Sequence, residues 1–266
     1  MAEIFIGSLL LGSLAGLSAG LFGIGGGVLI VPFLSWLFVA HRFHPELVML
    51  MAVATSLATA IFTSAASANT HYRLGNIVWP RVFRLSPSLL FGALAGTLIA
   101  KYLSVQLLRT SFIAYLVYTG LNMALPKRSK SSSRIGQPFW DYPIGFLIGS
   151  ISALLGIGGG TMTVPYLATS GQIMRNAVAT SSACALPIAF AGAVSYILLG
   201  WQENHLPDGS VGYIYLPAFF GVVASSMLTA PLGARLAHGL PAQQLKRYFA
   251  LVLLLIALKM ALTQGT

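Results

Sequence analysis

The sequence is short of acidic residues, of charge in general and of cysteine. Of its 266 residues only 8% are charged, whereas soluble domains carry charge on about a quarter of theirs. Five residues are acidic and fifteen are lysine or arginine, which gives a net charge of +10. The single cysteine, Cys184, excludes a disulfide framework and a cysteine-based metal cluster. Water-soluble globular classes are therefore excluded at the outset.

The sequence is rich in apolar residues. They make up 56% of the chain, and the mean hydropathy is +0.82. They form continuous runs rather than the alternating strands of a transmembrane barrel, so the sequence predicts an all-α polytopic membrane protein. Basic residues are scattered without a long run, which argues against a nucleic-acid partner and is typical of cytoplasmic loops. The expected partner is the lipid bilayer, and a homo-oligomer is left open.

The apolar runs divide the chain into two halves around one polar, charged segment. Residues 1–125 are the predicted first transmembrane repeat, 126–141 a cytoplasmic linker, and 142–266 the second repeat. About five helical segments are predicted in each half, which corresponds to eight to ten transmembrane segments. They are 4–22, 28–40, 47–68, 83–101, 109–125, 142–155, 161–170, 177–200, 215–236 and 247–263.

The two halves carry the same motifs in the same order. The pentapeptide Gly-Ile-Gly-Gly-Gly at 23–27 recurs at 156–160, and Ala-Val-Ala-Thr-Ser at 52–56 recurs at 177–181. Composition bias can align single leucines or alanines, but it does not align two such motifs in one order. The chain is therefore an internal repeat.

Loop charge predicts how the repeats are oriented. The linker 126–141 and the segment 69–84 are basic, which places them in the cytoplasm, whereas loop 201–214 is acidic and belongs outside. Each half then crosses the membrane an odd number of times. The sequence therefore predicts an inverted repeat with both termini outside.

The segments around the second glycine motif are too short for two full crossings. Residues 142–170 contain two helices and a turn, and at ~1.5 Å per residue they extend only ~43 Å. Two crossings of a ~30 Å hydrocarbon core need ~60 Å. We therefore expect a hairpin, or a pair of broken helices, with its glycine turn at membrane depth.

The two glycine turns are the predicted binding site. Glycine permits positive φ and lets a ligand approach the main chain closely, and a helix begins directly after each turn. The first N–H groups and the positive dipole end of a helix attract anions. Two turns entering from opposite faces would meet near the midplane, where inverted-repeat transporters bind substrate. The competing interpretation is that these glycines only allow close helix packing. The predicted substrate-binding glycines are Gly25, Gly26, Gly27, Gly158, Gly159 and Gly160.

Hydroxyl pairs and missing acids point to the charge of the substrate. The pairs Thr55-Ser56 and Thr180-Ser181 lie in apolar helices, where they can donate to an oxyanion or bond their own i−4 carbonyls. All five acids fall at predicted helix ends or in loops, so no predicted membrane core contains a carboxylate of the kind that cation carriers use. The sequence predicts no metal site, no cofactor and no catalytic set. His71 is the residue we would examine for proton coupling.

Taken together, these motifs resemble the TauE/SafE family of sulfite exporter-like permeases. The resemblance covers nearly the whole chain, and one position departs from the family pattern, because Val78 stands where many members carry an acid. Besides the glycine motifs, the resemblance rests on Val31-Pro32, Val164-Pro165, Ala54-Thr55-Ser56, Ala179-Thr180-Ser181, His71 with Gly75-Asn76, and Leu245-Lys246-Arg247.

The resemblance implies a function and a location. It implies a multi-pass permease of a prokaryotic cytoplasmic (inner) membrane that exports sulfite, sulfoacetate or a related organosulfonate. A small anion would bind between the glycine turns, and alternating access would come from one repeat rocking against the other. The alternative is a permease for another small solute or a transition-metal cation, held by carbonyls of the same glycines.

Overall fold

The computed structural model describes residues 2–23, 26–124, 138–236 and 242–262. That part of the chain is almost entirely helical, with a one-turn 3₁₀ helix at Pro138–Trp140 and a small hairpin of strands β1 (Ser210–Val211) and β2 (Ile214–Tyr215). The helices are α1 Ala2–Phe22, α2 Gly27–Ala40, α3 Pro45–Arg73, α4 Trp79–Tyr102, α5 Val105–Ala124, α6 Asp141–Leu155, α7 Gly160–Thr169, α8 Met174–Leu199, α9 Leu216–Leu236 and α10 Ala242–Leu262.

The prediction of an all-α polytopic membrane protein is confirmed. Each predicted segment corresponds to one helix, and within the described residues α1, α3, α4, α8 and α9 are long and apolar enough to cross a membrane. One clear difference is at the end of α3, which continues through His71 to Arg73 and stops before Gly75 at φ 69°. Left-handed glycine is a common helix terminator, because it lacks the Cβ that makes this conformation costly.

Helices α1 and α2 form a hairpin, and so do α6 and α7. His41, just beyond α2, lies 3.6 Å from Glu3 at the start of α1. In the second hairpin the Tyr166 hydroxyl of α7 donates to Asp141 at the start of α6, over 2.5 Å. With 14 and 10 residues, α2 and α7 extend only ~21 and ~15 Å, less than the ~30 Å of a bilayer core. The predicted glycine-broken hairpins are confirmed.

The most closely packed helices come from different repeats. Helix α1 runs parallel to α9, and α4 runs parallel to α6. A Cβ on Gly16 would lie 2.7 Å from the Ser226 carbonyl oxygen, and one on Gly96 would lie 2.1 Å from the Ser150 carbonyl oxygen. These glycines let two backbones touch, which is the small-residue packing typical of membrane helices.

Corresponding helices of the two repeats run antiparallel where they meet. On α3 and α8, Ser67 contacts Ser182 whereas Leu57 lies against Gly192, so residue numbers rise in opposite directions. On α5 and α10, Arg109 at the start of one helix donates to the Met260 carbonyl near the end of the other, over 2.8 Å. A two-fold axis perpendicular to the helices produces this arrangement. An inverted relation to the bilayer stays a prediction, and this geometry agrees with it.

The packing divides the helices into two bundles that are not the two sequence repeats. Bundle A contains α1, α2, α3 and α9, and bundle B contains α6, α7, α8 and α4. Helices α5 and α10 pair beside them. Because α4 and α9 are exchanged, rocking one sequence repeat against the other would separate the tightest contacts in the protein. The packed units are therefore the bundles, which meet along α3 and α8.

The charged residues are divided unequally between the two ends of the helices. We name these ends after Glu3, at the start of α1, and Asp141, at the start of α6. Among the described residues, the Glu3 end carries four acids and four lysines or arginines, whereas the Asp141 end carries one acid and seven lysines or arginines. The described chain ends, Ala2 and Leu262, both lie at the Glu3 end. A cytoplasmic Asp141 end with both termini outside stays a prediction, and this distribution of charge agrees with it. The basic residues of the Asp141 end are Arg73, Arg81, Arg84, Arg175, Arg235, Lys246 and Arg247.

Candidate functional site

The two glycine turns meet in the interior of the protein. A Cβ added to Gly27, the first residue of α2, would lie 2.2 Å from the Gly156 carbonyl oxygen in the other turn. Gly26, Gly27 and residues 156–160 are buried. Gly25 lies outside the described residues. The structure therefore brings the two predicted binding segments together. The close packing also explains why position 27 is a glycine.

Both short helices begin at this meeting point without a side-chain cap. Their N-caps are Gly26 and Gly159, with φ of 76° and 78°, a conformation that favours glycine. The Leu29 N–H is the first in α2 that bonds back to the Gly26 carbonyl, and in α7 the Met162 N–H bonds back to Gly159. Earlier N–H groups in each first turn have no intrahelical acceptor. Two positive helix ends are thus buried, and the start of α2 contacts the turn that leads into α7.

The two motif serines each bond the glycine turn of the opposite bundle. Ser56 on α3 donates to the Gly156 carbonyl over 2.8 Å, and Ser181 on α8 donates to the Gly23 carbonyl over 3.1 Å. Both side chains are buried. These reciprocal bonds cross between bundles A and B, so they hold the centre closed in this arrangement.

The two motif threonines form a second reciprocal pair, within the bundles. The Thr55 hydroxyl oxygen accepts from the Tyr215 N–H over 3.0 Å, and that of Thr180 accepts from the Val78 N–H over 3.1 Å. Each bond fixes the segment that leads into α9 or α4. In all four motif bonds the partner is main chain of a distant segment, not the i−4 carbonyl considered from the sequence.

The sequence reasoning missed a buried ionic cluster at Asp141. We had expected this residue in the linker, but it begins α6 and its side chain is fully buried. Its carboxylate accepts from Arg81 over 2.6 Å, from Arg84 over 3.4 Å and from Tyr166 over 2.5 Å. Asp141 does lie at a helix end, as expected, but the sequence reasoning did not foresee that its carboxylate is buried in an ionic cluster. The sequence feature that could have revealed this cluster is the pair Arg81 and Arg84, three residues apart on one face of α4.

His71 is buried inside the protein and does not lie exposed at the membrane surface. It lies in the last turn of α3 and is 1% exposed. Ser67, one turn earlier, contacts Ser182 of α8 over 3.2 Å, so this part of α3 faces bundle B. His71 is therefore within the interface between the bundles, well separated along α3 from the Thr55-Ser56 pair.

Side-chain metal ligands are not grouped in the described part of the chain. No set of three histidine, cysteine, aspartate or glutamate residues there is arranged to hold a metal ion. Cys184 is buried within α8. A cation at the centre would have to rely on main-chain carbonyls and hydroxyls.

Comparison with known proteins agrees with this architecture. The family model for the sulfite exporter TauE/SafE matches residues 8–260. A probable membrane transporter protein of Haemophilus influenzae is 38% identical over 96% of this chain and 97% of its own length. A probable membrane transporter protein of Methanocaldococcus jannaschii is 27% identical over 96% of this chain and 94% of its own. No solved structure matches. With its duplicated glycine hairpins and this match along nearly its whole length, the chain belongs to the TauE/SafE family of membrane transporters.

Proposed function

We propose that this transporter exports a small sulfur oxyanion, such as sulfite, sulfoacetate or a related organosulfonate, across the cytoplasmic membrane of a prokaryote. The anion would bind where the two glycine turns meet, near Gly26-Gly27 and Gly159-Gly160. The family match supports the transport activity, whereas the chemistry of the central helix starts supports the class of substrate.

The observation that carries the proposal is the pair of buried, uncapped helix starts that follow the two touching glycine turns. Each supplies N–H donors and a positive dipole end, and an oxyanion offers several acceptors at once. In a membrane interior no bulk water can satisfy such donors, so a polar partner at this point is favourable. Organosulfonates and sulfite share the oxygen-bearing, negatively charged sulfur group that would fill this role.

The distribution of acids also favours an anion. Four of the described acids lie at the Glu3 end, and the fifth, Asp141, is bound by two guanidinium groups. The Asp141 end carries seven lysines and arginines in the described residues, and a positive surface raises the local concentration of anions. If that end faces the cytoplasm, it draws the anion from the compartment out of which it is exported.

The hydrogen bonds indicate how alternating access would operate. The bonds of Ser56 and Ser181 link the two bundles, whereas those of Thr55 and Thr180 stay within one bundle. Opening the centre to either side would therefore break serine bonds and keep threonine bonds. The moving units would be bundles A and B, each built from parts of both sequence repeats.

Binding to the purified protein separates an anion site from a cation site. We expect sulfite or sulfoacetate to raise the midpoint of thermal unfolding in detergent, since a ligand at 100 times its Kd stabilises by about 2.7 kcal/mol. Zinc, manganese and nickel chlorides at equal concentration should give no shift beyond that of sodium chloride. Stabilisation by one of these metals, with none by the sulfur oxyanions, would contradict the proposal and favour the alternative cation permease.

A further inference from the structure

The interface between α3 and α8 is polar in one half and apolar in the other. The half towards the Asp141 end, which we call the polar half, contains Ser64, Ser67 and His71 of α3 and Ser182 of α8. The three α3 residues follow at i, i+3 and i+7, which places them on one helical face. The positions related by the repeat, in the half towards the Glu3 end, are Ala189, Gly192, Tyr196 and Leu57.

The contacts confirm that these two sets of residues are structural counterparts. In the polar half the Ser67 and Ser182 hydroxyls lie 3.2 Å apart. In the other half Leu57 fills the space beside Gly192, where an added Cβ would lie 2.7 Å from the leucine Cδ1. The same crossing of two helices is therefore sealed by a hydroxyl pair on one side and by packed hydrocarbon on the other.

The polar half is buried, but its hydrogen bonding is incomplete. Ser64, Ser67, His71 and Ser182 are each at most 2% exposed. Among the described residues the Ser64 hydroxyl is buried and has no hydrogen-bond partner. A buried hydroxyl without a partner costs free energy, and such groups in native proteins need an explanation. The explanation we adopt is that water reaches this face in another conformation and bonds the Ser64 hydroxyl there.

The polar half also connects two polar regions of the molecule. From Ser56 at the central site to His71 is fifteen residues of α3, or ~22 Å along the helix. Between them Thr59 and Thr63 are also buried on this helix. Beyond His71 lies the Asp141 end with its arginines. Buried polar side chains thus follow α3 from the centre to the Asp141 end, and among them the Thr63 hydroxyl lies 2.8 Å from that of Ser226 on α9.

We propose that the polar half of the α3–α8 interface lines the aqueous pathway between the central site and the Asp141 end. When bundles A and B separate there, water and the transported anion contact Ser64, Ser67 and His71. The apolar half acts as a dry seal whose residues stay out of water for more of the cycle. This inference rests on the chain being a transporter, as proposed, but not on sulfite being its substrate.

Cysteine accessibility tests this pathway with a matched control from the repeat. In a Cys184→Ala background, single variants Ser64→Cys and Ser67→Cys are compared with Ala189→Cys, the counterpart of Ser64. Membranes of either orientation are treated with a charged, membrane-impermeant thiol reagent, and labelling rates are measured. We expect both serine-position cysteines to react at least tenfold faster than Ala189→Cys, and only when the reagent reaches the Asp141 end.

The outcomes decide the inference independently of substrate identity. Serine to cysteine is nearly isosteric, and monodisperse elution in detergent checks that each variant folds. Rates at positions 64 and 67 no faster than at 189, or fast labelling from the Glu3 end, would overturn the pathway. Neither outcome depends on sulfite flux, so a wrong substrate and a wrong pathway give different results.

Discussion

Replacing Asp141 with asparagine is expected to cost about 3–5 kcal/mol of unfolding free energy, the usual effect of breaking a buried ion pair. The carboxylate is fully buried and neutralises Arg81, whose side chain is only 13% exposed. Asparagine keeps the shape but leaves both guanidinium groups without their counter-ion. The cluster joins α4 to the α6–α7 hairpin, so its loss weakens bundle B. The midpoint of thermal unfolding of the purified protein measures the change.

Two further variants show whether the loss comes from the ion pair. Asp141→Asn combined with Arg81→Gln should recover part of the stability, because it removes the uncompensated charge, and a double-mutant cycle gives the coupling. The control is Glu3→Gln, whose carboxylate lies 3.6 Å from His41 with a side chain 90% exposed. Exposed pairs contribute little, so this control should unfold like the wild type. Equal midpoints for Asp141→Asn and Glu3→Gln would contradict the buried cluster.

Gly27→Ala should disrupt the centre of the protein although it adds one methyl group. Its Cβ would lie 2.2 Å from the Gly156 carbonyl oxygen and 3.0 Å from the Ser56 hydroxyl oxygen. The first of these neighbours is backbone and cannot rotate away. Overpacking of this kind costs roughly 1–3 kcal/mol, and it also pushes apart the turns that form the candidate site. We expect transport activity per folded molecule to fall by roughly tenfold, the equivalent of 1.4 kcal/mol.

Gly7→Ala is the matched control for this prediction. Gly7 also lies in a helix of the first hairpin, but its Cβ would meet only the Phe33 and Leu37 side chains at 3.8 to 3.9 Å, ordinary van der Waals distances. We expect stability and transport to remain at the wild-type level. If Gly27→Ala behaves like Gly7→Ala in both measurements, the close approach of the turns is not required for function.

Much of this architecture was predictable because membrane helices can be recognised from the local sequence. Each of the ten helices in the described part of the chain coincides with a predicted apolar run, and the helix-length argument on 142–170 predicted a hairpin. The repeated motifs identified Ser56 and Ser181 as counterparts. These signals depend on neighbouring residues and on fixed helix geometry, so a single sequence contains them.

The features that could not be predicted depend on which segments meet in three dimensions. Nothing local shows that α4 and α9 exchange between the bundles, so the sequence alone predicts rocking of one repeat against the other. Asp141 adjoins a basic linker in sequence, and only the fold places Arg81, sixty positions earlier, against its carboxylate. The partners of the Thr55 and Thr180 hydroxyls are likewise main-chain groups of distant segments.

The measurement that tests the central claim most directly is flux of radiolabelled sulfite into proteoliposomes of known orientation. Sulfate, taurine, sulfoacetate and divalent metals serve as competitors, and empty liposomes give the background. We predict saturable sulfite flux that sulfoacetate reduces and that divalent metals leave unchanged. The absence of sulfite and sulfonate flux from folded protein, or flux that only metals compete for, would contradict the assignment of a sulfur oxyanion to the central site.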